Sequence, residues 1–243
     1  CYRCAVAMVE AGADINQPTP DGITPLINAL DNENFDLAMF LLDQGANAHV
    51  WDMNGRTPLY VAVDMNSFDL RGFSFGFGFS LVEPRSPDTT SAMDVVNRLL
   101  AMGVDTNHQL TRMRPNGNGR GRFVDYMLRG GTGPLLVAVL SYDNEAIKAL
   151  LAHGAEVDLP NVFQITPLMA ATGINGSARG SSTLPKGDVQ AQIIETIDLL
   201  LDAGADINAR VTDSQTRTAT LVAYVRGRDD HEGKTALFGA AEL

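Results

Sequence analysis

Cysteine is nearly absent: Cys1 and Cys4 are the only two in 243 residues. Such a pair reads as a redox couple or as half of a zinc site. The redox reading asks for a βαβ context that this sequence does not offer. A closed zinc site needs four ligands, and no second CxxC or paired-histidine stretch follows. Long apolar runs are also missing, with no window near the ~18 residues that a membrane span requires. No signal-peptide pattern is visible, because Cys1 opens directly into a helical pattern. Cations are scarce, with 18 Lys and Arg against 29 Asp and Glu and a net charge of −11. General nucleic-acid binding, which needs a basic surface to displace phosphate counterions, is therefore not expected. No Ser/His/Asp grouping, paired-carboxylate motif, HExxH or nucleotide fingerprint occurs. The chain is accordingly expected to be no enzyme, with no catalytic residue, no cofactor and no metal.

What is present is a repeat. Apolar side chains make up 45% of the chain, enough to bury a core. Two marks recur. Gly12-Ala13-Asp14-Ile15-Asn16 returns from Gly45, Gly103, Gly154 and Gly204, as in Gly204-Ala205-Asp206-Ile207-Asn208. Thr24-Pro25-Leu26 returns at Thr57-Pro58-Leu59, weakly at Gly133-Pro134-Leu135, at Thr166-Pro167-Leu168 and at Thr235-Ala236-Leu237. Gly12 to Gly45, Thr24 to Thr57 and Pro134 to Pro167 are each 33 residues. Each mark has a local task. The Thr hydroxyl can cap a helix, Pro suits the first helical position, and Leu starts a buried face. The Gly sits just past a helix end, where a left-handed conformation carries no Cβ strain. Before each Gly, apolar residues recur on one helical face, as in Leu37, Ala38, Leu41 and Leu42. Only Thr196 breaks that set, at a place where a small residue can suffice.

A 33-residue unit of turn, Thr-Pro-Leu helix, second helix and Gly-Ala-Asp-x-Asn resembles the ankyrin repeat. The likeness covers most of the chain outside four insertions. It implies an all-α solenoid of helix-turn-helix units with β-hairpin-like fingers, one domain over 1–243, and a scaffold for a protein partner. In that family the fingers and first helices form a concave groove, and finger tips carry partner contacts. One departure is consistent: the histidine common after Thr-Pro-Leu is replaced by Ile27, Tyr60, Leu136, Met169 and Phe238. The resemblance implies that apolar packing stands there for a buried hydrogen-bond network. The chain opens inside a second helix and stops inside a first helix, with neither end polar as a solenoid cap is. The expectation is a fragment of a longer array. Long insertions resemble those of large bacterial ankyrin proteins, many of which carry export signals. That likeness favours a periplasmic or secreted place over a cytoplasmic one.

Departures from the period place the insertions near 67–91, 108–131, 174–190 and 209–233. They alternate between helix–helix turns and fingers, and long loops in a compact domain tend to carry function. In the first, Phe73, Phe75, Phe77 and Phe79 alternate with Gly or Ser, which puts four rings on one face of an extended segment. They form either a platform for a sugar, peptide or protein, or a flap folded on the solenoid's own helices. The second carries Arg112, Arg114, Arg120, Arg122 and Arg129 against Asp125 alone. These arginines suit an anionic ligand or an acidic partner surface, or else they pair with acids of neighbouring repeats. The third is small and polar. The fourth ends in mixed charges around His231 that read as a solvated turn.

In the uninserted fingers, Trp51, Met53, Asn54 and Phe163 occupy tip positions expected to carry partner contacts. Trp51 is the only tryptophan, and exposed Trp is the residue type most expected at a hot spot. Its structural reading is packing on the next finger. The second functional class is a small-molecule or carbohydrate site, open to an enzymatic role, in a pocket framed by the insertions and lined by Phe75, Phe77, Arg120 and His231.

Overall fold

The computed structural model describes residues 2–70, 89–111, 130–174, 189–212 and 232–242. These residues contain helices α1 (Tyr2–Glu10), α2 (Pro25–Asp31), α3 (Phe35–Asp43), α4 (Pro58–Leu70), α5 (Ala92–Ala101), α6 (Pro134–Leu140), α7 (Asn144–Ala152), α8 (Pro167–Ala171), α9 (Val189–Asp202) and α10 (Ala236–Glu242). No strand occurs among the described residues.

Local chemistry sets the helix ends. The Thr24, Thr57 and Thr166 hydroxyls accept the N–H groups of Ile27, Tyr60 and Met169 at 3.3, 3.1 and 3.4 Å. Pro25, Pro134 and Pro167 fill the first helical turn, where no N–H is needed. Ser91 and Asp94 form a reciprocal capping box at α5. After each second helix the chain turns through a left-handed glycine: Gly12, Gly45, Gly103, Gly154 and Gly204 all have φ between 72° and 91°. Two first helices end by the same device without glycine, at Glu33 (φ 54°) and Tyr142 (φ 53°), whereas α8 ends at Gly173 (φ 81°). There the next N–H returns to the helix, Asn34 to the Ala29 carbonyl and Asp143 to that of Ala138.

The helices stack in two rows. First helices α2, α4, α6, α8 and α10 follow one another, as do second helices α1, α3, α5, α7 and α9. One apolar cluster runs along the stack, and no single hairpin could bury its own share of it. Four of the residues in the family's histidine slot lie in it: Ile27, Tyr60, Leu136 and Met169 are buried, whereas Phe238 is half exposed. Thr196 is fully buried and polar in its contacts. Its hydroxyl lies 2.6 Å from Asn144 Oδ1, so helix α9 meets α7 through a hydrogen bond instead of a methyl contact.

The Gly-Ala-Asp-x-Asn mark ties one repeat to the next. Asn16, Asn107 and Asp158 accept the backbone N–H of Asn47, Glu156 and Asp206 in the following repeat at 2.7, 2.8 and 3.0 Å. Between these ties lie five fingers, each closed by one pair of backbone bonds. In the short ones, the N–H of Thr19, Asp52 and Asn161 donates to Ile23, Arg56 and Ile165. In the long ones, Leu110 donates to Thr132 and Val211 to Lys234, with residues 112–129 and 213–231 between the partners. Neighbouring fingers are joined as well: Met53 donates to Asp21, Thr111 to Asn54 and Val162 to Gly130. Gln109 adds a side-chain bridge, its Nε2 donating to the carbonyls of Gly131 and Pro160.

Candidate interaction surface on the finger row

The first four fingers form a continuous bonded edge, and Trp51 stands on it. Its ring stacks on His108 of the next finger, with centroids 4.9 Å apart and planes tilted by 33°. Even so it is 56% exposed. One face of the indole is thus covered by a neighbouring finger, while most of its area faces solvent. Met53, two residues on, is 45% exposed. Asn54 is half-buried, its N–H donating to Asp52 Oδ1 at 2.9 Å and its carbonyl accepting from Thr111.

Phe163 is different. At the matching tip of the fourth finger its side chain is 3% exposed and joins the core, with its N–H held by Asn161 Oδ1 at 2.9 Å. The expectation that it faces outward is corrected: an apolar ring at this turn position folds under the finger, where burial is worth more than exposure. Arg112, Arg114, Arg120, Arg122 and Arg129 lie outside the described residues, as do Phe73, Phe75, Phe77, Phe79 and His231. Both ends of the arginine-bearing segment are nonetheless fixed. Thr111 is bonded to Asn54 beside Trp51, whereas Gly131 is bonded to Leu110 and Gly130 to Val162 of the fourth finger.

The middle first helices contribute little surface, whereas Asn28 of α2 and Leu237 and Phe238 of α10 are exposed. Residues 58–65 of α4, 134–139 of α6 and all of α8 are buried.

Below the second finger lies a group that the sequence reading did not single out. Arg56 Nη1 bonds both carboxylate oxygens of Asp31 at 2.8 and 2.9 Å, and its Nε bonds Asp52 Oδ2 at 2.7 Å. All three side chains are 3% exposed or less. Burial works against the guanidinium charge, but the two carboxylates outweigh it and hold Arg56 more firmly protonated than a free arginine. The one available signal was Asp52 and Arg56 bracketing a four-residue turn, with an acid ending the apolar helix α2. This group braces the turn that carries Trp51 and Met53. Among the described residues no group of three or more His, Cys, Asp or Glu is placed to hold a metal ion. Cys4 is disulfide-bonded.

Two rows of helices, recurrent left-handed glycines and a bonded finger edge define a helical repeat solenoid. Residues 2–71, which contain α1 through α4, match the family described as ankyrin repeats (3 copies). That stretch of the chain is thus similar to ankyrin repeats. No curated protein matches it. Ankyrin repeats are generally protein–protein interaction modules, and the family is generally non-catalytic. No helix among the described residues is long and apolar enough to cross a membrane.

Proposed function

We propose that this chain is a non-catalytic scaffold that captures a protein partner on its finger row, with Trp51 and Met53 as anchors. The observation that carries this reading is the exposure of the only tryptophan at a finger tip, beside first helices that are buried along residues 58–65, 134–139 and 167–171. An aromatic ring held by a rigid neighbour gives contact area at little entropic cost, which suits a hot spot. Asn54 supports the tip by fixing it to Thr111. Arg112, Arg114, Arg120 and Arg122 belong to the segment rooted beside that tip and would meet an acidic part of the partner or an anionic ligand. Phe73, Phe75, Phe77 and Phe79 would add apolar contact from the first insertion. The alternative, a small-molecule or carbohydrate pocket among the insertions, draws on no described residue.

The test is capture of a partner by wild-type chain and by the double variant Trp51→Ala, Met53→Ala. Removing a hot spot weakens affinity by about thirty-fold and leaves the thermal midpoint of this exposed pair nearly unchanged. A matching fall in the midpoint would show instead that the two side chains are structural.

A further inference from the structure

We infer that this chain associates with a second copy of itself end to end, α1 of one copy packing against α9 and α10 of the other. The inference goes beyond the finger-row scaffold and uses none of its contact residues.

Exposed apolar side chains mark the two ends. Four residues before the repeat glycine stand Leu41, Leu99, Leu150 and Leu200, each at most 3% exposed. In α1 the same place holds Met8, at 62%. The second residue of a first helix is Leu26, Leu59, Leu135 or Leu168, each at most 4% exposed, whereas Leu237 in α10 stands at 75%. Among the described residues α1 packs mainly on α3, and α10 mainly on α8. One is a second helix with no first helix against it, and the other is a first helix with no second. Each supplies what the other lacks.

The polar groups of these ends name the occupant. Lys148 of α7 lies six residues before its repeat glycine and bonds Glu195 of α9, nine before its own, at 2.7 Å. One repeat further on, the first of these places is Asp198 of α9, and in α1 the second is Arg3. The same pair can therefore form between two copies with its signs exchanged. In α3, α5, α7 and α9 the second place is acidic, as Asp36, Asp94, Glu145 and Glu195, so α1 is the helix that suits Asp198. Arg3 and Asp198 are both exposed and make no ion pair or side-chain hydrogen bond among the described residues.

The backbone tie agrees with this register. Asn16, Asn107 and Asp158 each accept an N–H two residues past the next repeat glycine. Beyond α9 the acceptor's place belongs to Asn208, and beyond α1 the donor's place belongs to Asp14. Neither the Asn208 side chain nor the Asp14 N–H is bonded among the described residues. A copy advanced by one step of the stack thus brings Met8 to the α10 face, Arg3 to Asp198 and Asp14 to Asn208. Joining like ends would set Asp198 against Asp198, or Arg3 against Arg3, which repel. Contact between unlike ends does not close on itself, so copies add in a row.

Sedimentation equilibrium of the chain tests this. The weight-average mass is expected to rise with concentration and to pass that of two chains. Arg3→Glu is expected to weaken association about five-fold, and Arg3→Glu with Asp198→Arg to restore it. Met8→Glu and Leu237→Glu should each stay single, with thermal midpoints unchanged because both side chains are exposed in one copy. Mixed together, those two variants should form pairs and stop there, since one intact α10 and one intact α1 remain. A wild-type chain that stays single at every concentration would overturn the inference and leave the α10 face to another occupant. A Met8→Glu chain that still dimerises would show that like ends meet, which overturns it too. Failure of the charge exchange to restore association would overturn the register on which it stands.

Discussion

Leu110 donates its N–H to the carbonyl oxygen of Thr132 at 3.1 Å, the bond that Asp52 makes to Arg56 at 3.2 Å and Asn161 to Ile165 at 3.1 Å. The closure is shared, but the side chains that make it differ. In short fingers the closing residue is itself an acceptor. Asp52 Oδ1 takes the N–H groups of Asn54 and Arg56, and Asn161 Oδ1 those of Phe163 and Ile165. Where residues 112–129 or 213–231 intervene, the closing residue is Leu110 or Val211, buried and without any acceptor atom. A side chain that mimics a backbone carbonyl is required where the chain must reverse within four residues, and only there.

This difference gives a reciprocal test. Asn161→Leu removes the acceptor for two backbone N–H groups in a buried turn, and is expected to cost about 2–3 kcal/mol. Leu110→Val, at the matching place in a long finger, removes no acceptor and should cost less than about 1.5 kcal/mol. Urea unfolding of both variants measures the two losses. Equal losses would show that the turn does not depend on the asparagine.

Glycine substitutions separate conformational strain from contact. Gly12 has φ +91° and open space around it, so Gly12→Ala should cost about 1–2 kcal/mol for the left-handed conformation alone. At Gly55, φ +80°, a β-carbon would stand 2.6 Å from the Thr111 amide nitrogen and 3.0 Å from the Gln109 carbonyl oxygen. Those atoms belong to the next finger's backbone, which would have to shift. Gly55→Ala should therefore cost roughly twice as much as Gly12→Ala, and hydrogen exchange should quicken at Thr111, whose N–H is bonded to Asn54. A Gly55→Ala chain as stable as Gly12→Ala would mean that the finger edge is loosely joined.

The repeat was legible because its marks act locally. Thr24, Pro25 and Gly12 do within a few residues what their types predict, and the 33-residue spacing fixes their order. Trp51 at a tip was legible for the same reason. Phe163 was not: position along a turn does not tell whether a ring points out or folds under, and here core burial decided it. Packing of Trp51 on the next finger could be read from the sequence, but not that His108 is the residue it meets. Least legible was the ion group. Asp31 and Arg56 are far apart in sequence, and charged residues are read as surface by default.

A pH dependence is expected where the chain returns to the stack before α5. Asp36 accepts the N–H of Thr90 at 2.9 Å, and the N–H and hydroxyl of Thr89 at 3.1 and 3.0 Å. Hydrogen bonds from Thr90 and Thr89 hold its carboxyl below the ordinary value of 3.8, against a smaller opposing effect of burial. A depressed carboxylate contributes stability above its unfolded pKa and loses it as pH falls through the folded one. The Thr90 amide resonance should therefore titrate with a midpoint below 3.8, and Asp36→Asn should abolish that titration. A midpoint above 3.8 would mean that these bonds do not hold the carboxylate in solution.

The buried ion group has a replacement within the same chain. Asp31, Asp52 and Arg56 occupy, in their repeat, the places that Leu140, Asn161 and Ile165 occupy two repeats later. Arg56→Ile alone leaves Asp31 and Asp52 buried without their cation, and breaking a buried pair in this way costs about 3–5 kcal/mol. The triple variant Asp31→Leu, Asp52→Asn, Arg56→Ile removes every charge and keeps an Oδ1 to accept the N–H groups at positions 54 and 56. Because desolvating three charges offsets much of their mutual attraction, the triple variant is expected to recover to within about 1 kcal/mol of wild type or to exceed it. Urea unfolding gives the free energies, and Trp51 emission in the folded state reports whether the tip keeps its geometry. A triple variant as unstable as Arg56→Ile would show that the ions are required by this turn and are not interchangeable with the apolar solution used by the fourth finger.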